Sequence, residues 1–234
     1  MGSLLALWDW STPCSHYEPE SIGDFHIVRR TIPKGTVLDV QAMSIDAVVF
    51  AHPIHSIQLR EGIRDKSDAE SIWMSDTPKE YYMTWELVAR ARGNVLVGGL
   101  GLGLLVHLLR NRRDIGNITV VEKSPEVVQM VSKYMPKDVT VIQDDFVYQV
   151  QKLSEQGAKF DTVIADMWKT GAEEEFIDDC HMVIDDCYPN ALKLFWALQE
   201  ELDNEESQLA LVTFDTETSK RFRDTAWHVV RGSW

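Results

Sequence analysis

A glycine run and a set of carboxylates recur at matching places in successive segments of this chain. Val95-Leu96-Val97-Gly98 opens into Gly99-Leu100-Gly101-Leu102-Gly103. Further on, Val120-Val121 ends in Glu122, Ile142-Gln143 in Asp144-Asp145, and Thr162-Val163-Ile164-Ala165 in Asp166. Each apolar run is short enough for a strand, so each of these residues stands where a strand ends. A glycine turn lets the backbone approach a ligand closely, because glycine has no Cβ and tolerates positive φ. A helix after such a turn aims free N–H groups and a partial positive charge at the same place. Carboxylates at the neighbouring strand ends accept hydrogen bonds from hydroxyl or amino groups. One acid at a strand end can do no more than cap the next helix. Three in succession behind a glycine turn point to a nucleotide-like ligand.

The glycine spacing decides between ligands. The dinucleotide fingerprint is G-x-G-x-x-G, and its third glycine would fall at Leu104. The spacing present is G-x-G-x-G. No Gly-Lys-Ser/Thr triplet follows, and the loop holds no lysine or arginine, so a pyrophosphate is poorly served.

The surrounding pattern supplies the elements that would position these residues. Strand Val95–Gly98 and helix Leu102–Asn111 are followed by strand Ile118–Glu122 and helix Pro125–Tyr134. Strand Val139–Gln143 and helix Phe146–Gln156 come next, then strand Thr162–Asp166 and helix Glu173–Cys187. This alternation predicts βαβ units and a parallel sheet. Ala191–Leu198 is expected as a fifth strand and Glu200–Gln208 as a helix, with Leu209–Phe214 and Trp227–Arg231 as a closing hairpin. Residues 1–20 read as irregular. From there to Ser75, runs such as Phe25–Thr31, Thr36–Gln41, Ala47–Ala51 and Ser56–Arg60, broken by Pro33-Lys34-Gly35 and His52-Pro53, predict a small antiparallel β domain. Thr77-Pro78-Lys79-Glu80 has the spacing of a capping box and starts a helix that should stop at Gly93. The expected organisation is an α/β fold: residues 1–75 as a β-rich amino-terminal domain, and 76–234 as a doubly wound, mostly parallel, Rossmann-like domain.

With 234 residues, 44% of them hydrophobic, the chain can bury a full core. A formal net charge of −14 argues against nucleic acid or an anionic membrane as the main partner. No run of apolar residues reaches the length of a membrane span, and Met1–Trp10 lacks the basic start of a signal peptide. A cytoplasmic location is expected. Cys14, Cys180 and Cys187 do not form a disulfide framework. Cys180 and Cys187 share a helix face beside His181, but no CxxC or second histidine completes a metal site, so free thiols and no metal are expected. His52 and His55 read as turn residues, and Glu173-Glu174-Glu175 as a solvated helix start.

The segment from Val95 to Trp168 resembles the class I S-adenosylmethionine-dependent methyltransferase fold, and within it the spermidine synthase-like branch. The resemblance implies that Gly99, Gly101 and Gly103 hold the methionine part of the cofactor. It implies that Glu122, with Lys123 beside it, meets the ribose hydroxyls. Asp144 would accept from the adenine amino group while the backbone of Asp145 meets the ring. Asp166 would face the substrate as the catalytic acid or base, with Trp168, Tyr81 and Tyr82 shaping the pocket. Core packing is the competing reading for these three aromatic residues. A homodimer is the assembly that the resemblance suggests.

Three departures bear on activity. Leu102 stands where spermidine synthases carry a loop aspartate. Lys169 stands where they carry the second of two aspartates, and a cation there would repel a polyamine. Val97 stands where many methyltransferases carry an acid. The expected function is therefore an S-adenosylmethionine-binding methyltransferase acting on a small molecule. The alternatives are a non-catalytic binding module of the same fold and, less favoured by Lys169, an aminopropyltransferase.

Overall fold

In the computed structural model the described residues are 4–42, 45–62, 72–168 and 174–196. Lys169, the expected helix Glu200–Gln208 and the expected hairpin lie outside them.

The carboxy-terminal half is a doubly wound parallel sheet. Its strands are β8 (Gly93–Gly98), β9 (Ile115–Glu122), β10 (Val139–Gln143), β11 (Thr162–Ala165) and β12 (Leu192–Phe195), in the order β10-β9-β8-β11-β12. All neighbours pair in parallel. The connecting helices are α2 (Leu104–Arg110), α3 (Pro125–Val131) with a 3-10 turn at Ser132–Tyr134, α4 (Phe146–Glu155) and α5 (Glu174–Cys187). The chain steps outward from β8 to β10, returns to the other side of β8 as β11, and steps outward again. The order therefore reverses between β8 and β11, and a crevice opens there at the carboxyl ends of the strands.

Burial on both faces explains the apolar runs. In β8, Val95 and Val97 join the core that includes Leu104 and Val120, while Leu96 joins Val121, Phe146, Val163 and Ile184 on the other face. Alternate residues of a strand face opposite sides, so a sheet covered on both sides needs continuous hydrophobicity.

The amino-terminal segment differs from expectation in two ways. It holds two sheets. One is antiparallel, β2-β3-β6-β7, from Glu20–Ile22, Phe25–Ile32, Ile54–Glu61 and Ile72–Ser75. The other is mixed, β1-β5-β4, from Leu4–Leu7, Ile45–Phe50 and Val37–Ala42, with β1 parallel to β5. The first twenty residues are thus not wholly irregular. Leu4–Leu7 is too short to be told from a loop by periodicity and is defined by its pairing with β5.

Both sheets share a core with the parallel sheet. Leu7, Trp10, Phe50 and Ile57 belong to the same buried cluster as Leu87, Leu102, Leu108 and Ile164. Helix α1 (Pro78–Arg90) joins the two parts, with Tyr81, Tyr82, Thr84, Leu87 and Val88 buried. The expected capping box does not form. The Thr77 hydroxyl lies 3.0 Å from Ser75 Oγ and gives no side-chain cap to α1. Among the described residues no helix is long and apolar enough to cross a membrane.

Asp76 knits the junction. Its Oδ2 accepts from Thr12 Oγ1 at 2.6 Å and its Oδ1 from the Ile57 amide at 2.7 Å, while its carbonyl accepts from Trp10 Nε1 at 2.8 Å. Burial raises its carboxyl above the usual range, and these hydrogen bonds counter the shift. Asp76→Ala strands two buried donors and is expected to cost about 3 kcal/mol in urea unfolding, with Asp76→Asn, which keeps an acceptor for Ile57, costing about half as much.

Candidate functional site

A cavity of about 280 Å³ occupies the crevice where the strand order reverses. One end is formed by the sheet: Gly99 and Gly101 from the glycine loop, Glu122, Lys123 and Ser124 after β9, and Asp145, Phe146 and Val147 at the start of α4. The other end combines Asp166, Met167 and Trp168 after β11 with Glu80 of α1, Trp196 and Phe176. Phe25, Leu59, Trp73 and Met74 of the antiparallel sheet complete the wall.

The loop geometry follows from its glycines. At Gly99 φ is +90°, and a Cβ there would lie 2.1 Å from the Asp166 carbonyl oxygen. The Asp166 amide donates to the Gly98 carbonyl at 2.9 Å and the Gly99 amide to the Val121 carbonyl at 2.8 Å. The loop is thus threaded between β9 and the end of β11. Gly103 is buried and left-handed against Met135, and does not line the cavity. The back of the loop is held from the amino-terminal segment. Tyr17 Oη donates to the Leu102 carbonyl at 3.0 Å, and the Leu102 amide lies 3.2 Å from Met74 Sδ. His107 Nε2 is 3.0 Å from Tyr17 Oη, and burial pushes this imidazole down to about 4. Leu102 and Val97 are fully buried core side chains and present no group to the cavity.

Glu122 is held by both carboxylate oxygens. Oε2 accepts from the Leu100 amide and Oε1 from the Ser124 amide, each at 2.8 Å. Each oxygen keeps a second lone pair for a hydroxyl from a ligand. Asp145 caps α4 through Tyr148 N at 3.3 Å and pairs with Lys123 at 3.2 Å. Asp144 accepts from the Asp145 amide at 2.9 Å and is not among the lining residues. The structure therefore gathers Gly99, Gly101, Glu122, Lys123, Asp145, Asp166 and Trp168 at one cavity and leaves Gly103 and Asp144 off its wall.

Tyr81 and Tyr82 also lie off the wall. Both are buried, and Tyr81 meets the Trp10 and Tyr82 rings edge-on at 5.5 and 6.0 Å. The helix turns both into the shared core. Trp168 lines the cavity and packs as well, with Nε1 donating to the Trp196 carbonyl at 3.0 Å and its ring 6.3 Å from Phe195.

The residue that sequence reasoning missed is Glu80. Read as a capping glutamate, it instead lines the cavity with Asp166. A signal was present: Glu80, Thr84, Leu87 and Val88 fall at i, i+4, i+7 and i+8, the spacing of one helix face. Glu80 and Asp166 keep part of their surface, but as cavity wall rather than open solvent. Burial pushes the Asp166 carboxyl up to about 7. Burial and the nearby Asp166 charge push Glu80 up to about 8, against a smaller opposing pull from Lys79. Paired carboxyls in an apolar recess are a recurrent feature of functional sites.

No family profile and no curated protein matches the chain. Among solved structures it is similar to the precorrin 8w decarboxylase of Methanobacterium thermoautotrophicum, with 16% identity over 54% of this chain and 68% of that one, at a TM-score of 0.37. It is similar to DhpI in its complex with SAM and HEP, with 18% identity over 53% of this chain and 59% of that one, at 0.37. It is similar to the spermidine synthase of Thermotoga maritima, with 14% identity over 59% of this chain and 49% of that one, at 0.33. The chain thus spans about half of that synthase. The fold is defined by the strand order and parallel register described above.

Two measurements check this geometry. Gly157 has φ of +79°, and a Cβ at that position would meet nothing within 4 Å, so Gly157→Ala should cost only the left-handed backbone penalty of about 1–2 kcal/mol. Gly99→Ala adds a collision with backbone and should cost about 3 kcal/mol or more in chemical unfolding; equal costs would contradict the tight seam. Glu80 and Asp166 hold their protons more tightly folded than unfolded, so their contribution to stability is full below their ordinary values of 4.5 and 3.8 and is lost as pH rises from there to about 8 and about 7. Thermal melts of Glu80→Gln and the wild type should diverge over that range, the variant gaining on the wild type as pH rises.

Proposed function

We propose that the protein binds S-adenosylmethionine along the carboxyl ends of β8, β9 and β10 and transfers its methyl group to a small molecule held beside Asp166. The observation that carries this reading is the joining of Gly99, Gly101 and Glu122 with Asp166 and Trp168 in a single cavity.

The residues present fit such a ligand. The glycine loop has no cation to attract phosphate, Glu122 has lone pairs free for a ribose diol, and Val121, Phe146 and Val147 offer apolar wall for a flat ring. When bound, S-adenosylmethionine supplies a methyl group already activated by its sulfonium. The chain then has to bind, align and keep out water. The Leu100 and Ser124 amides fix the Glu122 carboxylate in place. The Asp166 backbone is locked to Gly98, so its side chain is set at a fixed distance from the loop. With its carboxyl raised to about 7, Asp166 can take up and release a proton near neutral pH. Trp168 and Met167 exclude water on the same side.

A second reading is a binding module without turnover, and the burial of Val97 and Leu102, which present no polar group to the cavity, favours it.

Calorimetric titration with S-adenosylmethionine tests binding. Glu122→Ala should weaken it about tenfold or more, since hydrogen bonds to a charged group contribute roughly 1.5–3 kcal/mol. Absence of binding at millimolar ligand, or unchanged affinity in the variant, would sink the proposal. Release of S-adenosylhomocysteine with a panel of small nucleophiles separates the enzyme from the silent module.

A further inference from the structure

The acceptor end of the cavity combines two chemistries that seldom meet. Glu80 and Asp166 bring two half-buried carboxyls to one recess, and among the described residues neither carboxylate receives a hydrogen bond. Beside them the wall is aromatic or thioether, with Met167, Trp168, Phe176 and Trp196 among the lining residues. Among the described residues no lysine, arginine or histidine lines this end; Lys169, next to Trp168, lies outside them, and a monoamine meets less repulsion from it than a polyamine does. Lys123, at the other end, is paired with Asp145.

This wall discriminates between ligand charges. An anion would meet two carboxyls, with no cation among the described lining residues of this end. A neutral alcohol would offer the pair no compensation for the charge it carries in an apolar recess. A hard metal ion wants several oxygen ligands, and the described residues contain no cluster of three metal-binding side chains. An organic cation satisfies both chemistries, because carboxylates neutralise it and aromatic faces attract it. The degree of substitution is constrained too. A primary ammonium can place its three N–H donors on the four carboxylate oxygens but leaves the apolar wall unmatched, whereas a tertiary ammonium brings one donor and apolar groups that suit indole and thioether surface.

We infer that the acceptor is a tertiary alkylamine, its N–H directed to the Glu80–Asp166 pair and its alkyl groups against Trp168 and its aromatic neighbours. As a methyl acceptor this identification rests on the proposed function, but binding of the amine does not. In the reaction the ammonium first gives its one proton to a carboxylate of the pair. The nitrogen lone pair then bonds the methyl carbon, and the carbon–sulfur bond breaks with its electrons on sulfur. The products are a quaternary ammonium and S-adenosylhomocysteine, and the carboxyl returns its proton to solvent. The carboxylate of the pair that stays ionised faces the permanent cation, so the pair acts on specificity as well as on proton uptake.

Calorimetry on the full chain at pH 7.5 tests this with four probes of one chain length: N,N-dimethylhexylamine, n-hexylamine, n-hexanol and hexanoate. The dimethylamine should bind about tenfold tighter than the alcohol, as expected for a desolvated cation on aromatic faces and carboxylates. It should also bind more tightly than n-hexylamine, with hexanoate weakest. Glu80→Gln should reduce amine affinity and leave hexanol unchanged, a split that a merely structural role would not produce. The inference is overturned if the alcohol or hexanoate matches the dimethylamine, or if n-hexylamine binds more tightly than the dimethylamine. The wild-type series decides even if the variant folds poorly. S-adenosylhomocysteine is titrated separately. If it binds while the amine shows no preference, the acceptor assignment fails alone; if the amine is preferred and S-adenosylhomocysteine does not bind, only the cofactor reading fails.

Discussion

Where the strand order of the parallel sheet reverses, two strand ends are pressed together with no room for a side chain between them. The Gly98 carbonyl takes the Asp166 amide, and Gly99 turns away in a left-handed conformation directly over the Asp166 carbonyl. Backbone hydrogen bonds of this kind are individually modest, but here they set the distance between the glycine loop and the first residue past β11. A ligand lying on the loop and a ligand lying on Asp166 are brought into one cavity by that seam. The apolar runs of β8 and β11 exist to bury both faces of the strands that carry it.

The seam by itself would leave the crevice open on one side. The amino-terminal sheets close it, and they do so as part of the same core rather than as an appended lid. Asp76 fixes Thr12 and Ile57 to the start of α1, which brings Glu80 to the wall. Tyr17 and Met74 reach the backbone of the glycine loop at Leu102. A buried attachment at the back of the loop restricts how far its amides can move, which is what preorganised binding requires. Leu102 therefore has a positive structural role: its side chain fills the core while its amide and carbonyl anchor the turn.

Strand ends were legible from sequence because the period of a buried parallel strand is short and its termination by glycine or acid is abrupt. Glu122, Asp145 and Asp166 reach the cavity from those positions. Asp144 does not reach the wall because it accepts the Asp145 amide at the helix start. On α1 local and tertiary signals competed. Thr77 to Glu80 has the spacing of a capping box, yet a cap contributes only about 1 kcal/mol, and the orientation of α1 follows from the larger burial of Tyr81, Tyr82, Leu87 and Val88. Once that face is fixed, Glu80 is carried to the cavity and the tyrosines to the core. Strand β1 was illegible for a similar reason, since Leu4–Leu7 is specified by its parallel pairing with β5 rather than by its own pattern.

Burying two carboxyls together works against folding, since desolvation and mutual repulsion both oppose their charged forms. Elsewhere this chain places its buried acid differently: Asp76 is also desolvated, but amide and hydroxyl donors satisfy it. Glu80 and Asp166 have no such donors among the described residues and instead face a space. In a molecule whose other strand-end acids hold hydrogen bonds from neighbouring amides, this contrast separates acids that organise the fold from acids left available to a ligand. Asp76 and Asp166 thus differ in whether the protein itself supplies the hydrogen-bonding partner, and Asp166, unlike Asp76, keeps surface on the cavity.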